Sequence, residues 1–239
     1  MEIFKYKNFL LNLWHPAAAN VDPTKNGFFG YDFTDLAEEA LIDGLVEKTL
    51  QNKVGIVATQ SLFTRWFSPE APAQLGNQLE MKYMSPKTLY TWRQSKSKLI
   101  SSETYSSEKW KKYIHIRQQL LKAMDKKGVT FLLGSNAPQV YNVPGFSIHR
   151  ELESMWDAGI ANYKLLQAGT SNPATFFGET GKYGTIVEGA AADFILLNAN
   201  PLVDIGHAKD IAGVMVGKTW LPKKEIDRRL AEIALSYAK

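Results

Sequence analysis

Apolar residues recur along most of this chain at helical spacing, and two short unbroken apolar runs interrupt them. Leu36, Ala40, Leu41, Leu45 and Leu50 gather on one helical face, with Glu38, Glu39, Glu47 and Lys48 mostly away from it. The spacing predicts a helix that starts at Asp32-Phe33-Thr34-Asp35 and ends at Asn52-Lys53. Residues 54–59, Val-Gly-Ile-Val-Ala-Thr, then read as a buried strand. A long connection over residues 62–84 holds Phe63, Trp66, Phe67, Pro69 and Pro72. Its length implies a functional loop or small helices of its own. Its aromatics either line an apolar pocket or form a satellite core. A polar helix follows over residues 86–99, with Lys87, Arg93, Lys96 and Lys98 expected on a solvated face.

Ser106-Ser107-Glu108 opens another helix, with Trp110, Ile114, Arg117, Leu121 and Met124 along one stripe and Gly128 at its stop. His115 lies one residue off that stripe and reads as a surface residue. The second apolar run, residues 129–133, ends abruptly in Gly134-Ser135-Asn136-Ala137-Pro138 and predicts another buried strand. Ser147 opens a helix that turns Ile148, Leu152, Met155 and Trp156 inward, and two shorter helices follow. Residues 183–189 read as a short strand and turn, residues 192–197 as a strand, and residues 211–221 as a hairpin about Gly217-Lys218. Ile226, Leu230, Ile233 and Tyr237 mark a last amphipathic helix. Strand, helices, strand, helix is the order of a parallel α/β fold, in which chemistry sits at the carboxyl edge of the strands.

Bulk properties narrow the reading. The 239 residues make one large domain or two small ones, and an apolar content of 45% supplies a core. A net charge of +4, scattered among acidic residues, speaks for solvated surface and against nucleic-acid binding. There is no cysteine, so disulfides and thiolate metal sites are excluded. That fits a reducing, cytoplasmic setting, and no apolar run reaches the ~18 residues of a membrane span. Residues 1–20 carry a faint, interrupted resemblance to a signal peptide, which makes secretion the alternative. His15, before Pro16, reads as a turn or surface residue rather than a ligand.

The stretch Gly134-Ser135-Asn136-Ala137, followed by Pro144-Gly145-Phe146-Ser147-Ile148-His149-Arg150-Glu151, resembles the last barrel strand and next helix of the amidohydrolase superfamily, in its imidazolonepropionase-like and prolidase-like branch. Asn172-Pro173-Ala174, Gly184 to Asp193, and Asn200-Pro201-Leu202 resemble the later motifs of the same superfamily, in the same order. The resemblance implies part of a (β/α)8 barrel over residues 30–182 and strands of a small β-sandwich over 183–222. A C-terminal helix occupies 223–239, and residues 1–29 stay unassigned. It further implies a metal-dependent hydrolase of amide or cyclic amide carbon–nitrogen bonds, with zinc or another divalent cation in the complete enzyme and a small-molecule amide as substrate.

The resemblance places Asn136 where the superfamily has a metal-binding, proton-shuttling aspartate. A carboxamide neither accepts a proton at neutral pH nor brings charge to a metal. His149 is the second catalytic candidate, and Thr59, Ser135, Tyr141 and Glu151 are candidate substrate contacts. The four histidines are His15, His115, His149 and His207, with no His-x-His among them. The first six barrel strands have no counterpart, so no metal ligand is assigned and no cofactor is expected for this chain alone. Two parallel strands cannot close a barrel, and they leave edges and apolar faces uncovered. The expectation is therefore the C-terminal part of a larger hydrolase, inactive alone, completed by an N-terminal half or by homo-oligomerisation. The alternatives are a degenerate interaction module of the same fold, and an active enzyme with a site rebuilt on His149 and Glu151.

Overall fold

The computed structural model describes residues 28–238. The readings made for residues 1–27, His15 among them, lie outside the described residues. The chain enters through 3-10 turns at Phe28–Leu36 and Glu39–Leu41, and the first α-helix, α1, spans only Ile42–Gln51. A single helix from residue 32 does not form. Tyr31 is fully buried among Phe67, Tyr105 and Tyr113, and its hydroxyl donates to Ser106 O. Holding that ring sets the path of the chain, which passes through an extended Glu38 before α1 begins.

α1 turns Ile42, Leu45, Val46 and Thr49 inward, against Ile116, Leu120, Leu121 and Met124 of α5 (Ser107–Lys127). α5 has the predicted ends: Ser106 Oγ accepts from Lys109 N at 3.0 Å, and Gly128 closes it at φ 81°. Beside these helices residues 54–59 and 129–133 run parallel, but as one bridged pair rather than two full strands. Ile56 faces Phe131, with Ile56 N donating to Thr130 O and Leu132 N to Ile56 O, each at 2.9 Å. The first run is short because Val54 N still bonds Thr49 O in the helix end, and Thr59 already turns left-handed into α2 (Gln60–Trp66). It is not buried either, since Val57 is 48% exposed.

The connection over residues 62–84 carries α2, α3 (Pro72–Gly76) and a 3-10 turn at Leu79–Tyr83. It folds Phe63, Trp66, Phe67, Leu75 and Met81 onto Tyr31, Tyr113, Tyr141 and Trp92, the last from α4 (Pro86–Ile100). The aromatic cluster is thus a second core. α4 corrects another expectation. Lys96 does not lie on a solvated face but is fully buried, its Nζ donating to Arg65 O, Trp66 O and Ser68 O at the end of α2. A lysine that caps orphan helix carbonyls leaves none of its own donors unmet.

Three helices follow: α6 (Ser147–Asp157), α7 (Asn162–Gly169) and α8 (Ser171–Phe176). Leu152 and Met155 of α6 are buried as expected, whereas Trp156, expected inward, is 54% exposed. Residues 183–189 form no strand. Gly184 sits at φ 72° against Thr170, where a Cβ would lie 2.2 Å from Thr170 O, so this segment is pinned to the α7–α8 junction. The hairpin is as expected. β1 (Phe194–Leu197), β2 (Ile211–Val216) and β3 (Thr219–Pro222) form an antiparallel sheet in that order, with Ile195 opposite Val214 and Met215 opposite Trp220. Asp193 Oδ1 accepts from Gly217 N and so ties β1 to the hairpin turn. The last helix, α9 (Lys223–Tyr237), touches β2 and β3 with Ile226 and Leu230 half-buried. Among the described residues no helix is long and apolar enough to cross a membrane.

Candidate functional site

Thr59, Ser135 and Asn136 lie at the carboxyl ends of the two bridged segments, and α6 brings Ser147 and Glu151 to them. Residues four apart on a helix share a face, while residues two apart point to nearly opposite sides. Ser147 and Glu151 therefore share one face, and His149 and Glu153 share another. Ser147 Oγ meets Ser135 Oγ at 2.7 Å, beyond the second apolar run. Glu151 is fully buried, and its two carboxylate oxygens accept from Gln60 N at 2.8 Å and Ser61 N at 2.7 Å. These are N–H groups of the first turn of α2, which no side chain of Thr59 caps. A carboxylate from a distant helix thus supplies the cap that the local sequence lacks. Burial pushes the Glu151 carboxyl up, while the two N–H donors and Arg117 draw it down.

His149 lies on the other face. Glu153 is the acidic group next to it, and Glu153 itself pairs with Lys209 at 2.9 Å. The His149 pKa is lowered: burial lowers it, Glu153 opposes this and Lys209 adds to it. Its Nδ1 is buried and has no hydrogen-bond partner among the described residues.

The remaining candidates separate in depth. Asn136 is exposed and left-handed, at φ 56°, immediately before Ala137-Pro138. Asparagine tolerates that conformation well, so the position suits a strand-to-loop turn. Thr59 is half-buried and also left-handed, at φ 46°, which is a strained conformation for a β-branched residue. Ser135 is buried, and its carbonyl accepts from Asn142 Nδ2. Tyr141 is buried at φ 58°, its hydroxyl donating to Pro72 O at 3.1 Å and its carbonyl accepting from Arg65 Nε at 3.2 Å. Ser135, Tyr141 and Glu151 are thus engaged with the protein itself, while Asn136 and Thr59 reach the surface.

Three participants escaped the sequence reading. Arg117 sits on an apolar helix stripe, where it donates to Gln60 Oε1 and Ala58 O at 2.8 Å each, and its guanidinium lies 3.9 Å over the Phe63 ring. An arginine in an apolar stripe was itself a signal that a buried partner exists. Gln60 is fully buried, with Nε2 unpartnered among the described residues. Glu80, also buried, is shared by Arg150 of α6 and Arg65 of α2, and burial together with Arg150 brings the Arg65 pKa down to about 10.

The metal centre implied by the resemblance does not fit this edge. Asn136 offers one neutral oxygen, both Glu151 oxygens already hold backbone N–H groups, and His149 faces away from Glu151. Among the described residues no three His, Cys, Asp or Glu side chains come together in a way that could hold an ion.

Comparison with known proteins agrees with this architecture. The chain resembles a solved bottromycin amidohydrolase, with a TM-score of 0.56 and 20% identity over 76% of this chain and 39% of that one. It also resembles a prolidase candidate from Bifidobacterium longum, with a TM-score of 0.51 and 20% identity over the same shares. The chain therefore spans about 39% of the length of these solved relatives. No curated protein matches it. The sequence model of the amidohydrolase family matches residues 94–221, more than half of the chain. This protein belongs to the amidohydrolase family.

Proposed function

We propose that this chain is the C-terminal part of a metal-dependent amidohydrolase that cleaves carbon–nitrogen bonds of amides or cyclic amides, and that it is inactive by itself. In this reading residues 30–182 are the end of a (β/α)8 barrel, residues 183–222 contribute strands to a small β-sandwich, and residues 223–239 are a closing helix. Residues 1–29 remain unassigned. One observation carries the reading: in a member of a generally metal-dependent family, the buried carboxylate of Glu151 is taken up in capping α2, and the position that the resemblance gives to the family aspartate holds Asn136. Exposed apolar side chains such as Phe177, Ile186 and Val203, at 70%, 93% and 76%, support a missing cover, either the rest of the enzyme or a second copy.

The test is turnover. The purified chain and its Asn136→Asp variant are supplied with zinc, manganese or cobalt and assayed against dipeptides, Xaa-Pro dipeptides among them, and against cyclic amides. Neither protein turns over any of them. Metal-dependent hydrolysis that disappears in His149→Ala would replace this reading with a site rebuilt on His149 and Glu151.

A further inference from the structure

Thr59 stands at the carboxyl end of the first bridged segment in a left-handed conformation, at φ 46°. A β-branched residue rarely holds that conformation unless its surroundings impose it. Both flanks of Thr59 are held, and two helices do it. From α5, Arg117 Nη2 donates to Ala58 O at 2.8 Å, and Arg117 Nε donates to Gln60 Oε1 at 2.8 Å. One planar guanidinium thus grips the residue before Thr59 and the residue after it, which its fixed fork of donors makes possible. From α6, Glu151 holds Gln60 N at 2.8 Å and Ser61 N at 2.7 Å.

The two jaws of this clamp are themselves fixed. The guanidinium lies 3.9 Å from the centre of the Phe63 ring and 5.7 Å from that of Tyr113. Arg117 and Glu151 carry opposite charges, and Arg117 draws the Glu151 carboxyl down. Lys96 holds the far end of α2 through Arg65 O and Trp66 O. The α6 face that carries Glu151 also serves the neighbouring segment, where Ser147 Oγ meets Ser135 Oγ at 2.7 Å, next to left-handed Asn136. The two segments are packed closely at this level, since a Cβ on Gly134 would lie 2.7 Å from Val57 Cγ1.

We propose that Arg117 is a positioning residue: with Glu151 it locks Thr59 left-handed at the carboxyl edge, so that Thr59 is preset as a contact for the small amide substrate of the completed enzyme. This rests on the barrel reading proposed above. Arg117 acts through Ala58 and Gln60, not by touching substrate. A group fixed before binding loses less freedom when the ligand arrives, which favours the bound state.

NMR on the full chain tests this, because a left-handed residue gives a strong NOE between its own amide and Hα protons. In the wild type Thr59 and Asn136 both give it. In Arg117→Lys, whose ammonium lacks the planar fork, the Thr59 NOE is lost and the Asn136 NOE stays. A merely structural arginine would lower the urea midpoint and leave the Thr59 NOE untouched. That result overturns the proposal, and so does a wild-type Thr59 without the NOE. If the lysine variant does not fold, Gln60→Leu takes one of the two acceptors from Arg117 and is read in the same way. The measurement needs neither metal nor turnover, so its failure leaves the fragment reading intact, and turnover by the chain would leave this geometry intact.

Discussion

Glu151 brings a carboxylate into the interior, and two backbone N–H groups of another helix meet it there. Glu151→Gln keeps the shape but turns one acceptor into a donor that faces an N–H group. The variant is expected to lose about 2 kcal/mol of stability, read as a lower urea midpoint at unchanged slope. A midpoint within about 0.5 kcal/mol of wild type would show that the cap is dispensable. His149 gives a pH prediction. Its folded pKa is lowered by burial, so from about pH 6.5 downward the unfolded chain takes up a proton that the folded chain resists. Stability therefore falls as the solution is acidified below that pH. His149→Phe removes both this contribution and the unpartnered Nδ1, and its urea midpoint should depend less on pH between 7 and 5. Identical pH slopes in the two proteins would refute the assignment.

At the scale of elements, the sequence was most legible where local chemistry acts alone. The Ser106 cap, the Gly128 stop and the Gly217-Lys218 hairpin follow from residue type and spacing. It was least legible where a distant partner decides. Lys96 looked like any surface lysine because the carbonyls it caps lie 28 to 31 residues away. The apolar run over 54–59 has strand composition, yet the bonding partners on either side of it leave room for one bridge. The candidate site shows the same division. Ser135, Asn136 and Ser147 could be placed near the strand end from their order in the chain. That His149 faces away from Glu151 follows from helical spacing, but that Glu151 caps α2 depends on the rotation of α6, which the motif does not encode. Gly184 tests the packing of this region. Gly184→Ala would put a Cβ on Thr170 O and is expected to cost about 2 kcal/mol or more, whereas Gly217→Ala, also left-handed but in open space, costs about 1 kcal/mol. Equal losses in thermal or urea unfolding would mean that the 183–189 segment does not bear on α7 and α8.

At the scale of the whole molecule two dense cores coexist with broad uncovered apolar surface. The cores account for a folded chain: α1, α5, α6 and α7 enclose one, and the aromatic cluster around Tyr31 and Tyr113 forms the other. β1 presents Phe194, Ile195 and Leu196 at 39%, 55% and 52% exposure, which is unusual for a sheet meant to stand alone. Concentration-dependent association above the monomer mass of 26.8 kDa is the expected consequence, read by light scattering. A monomer at every concentration would argue against a missing cover. The proposed reading is that this chain is part of a metal-dependent amidohydrolase and binds no catalytic metal by itself. The untagged protein, equilibrated with excess zinc, dialysed and analysed for metal content, tests that most directly. The account predicts far less than one zinc per chain, and one tightly held zinc per chain would contradict it.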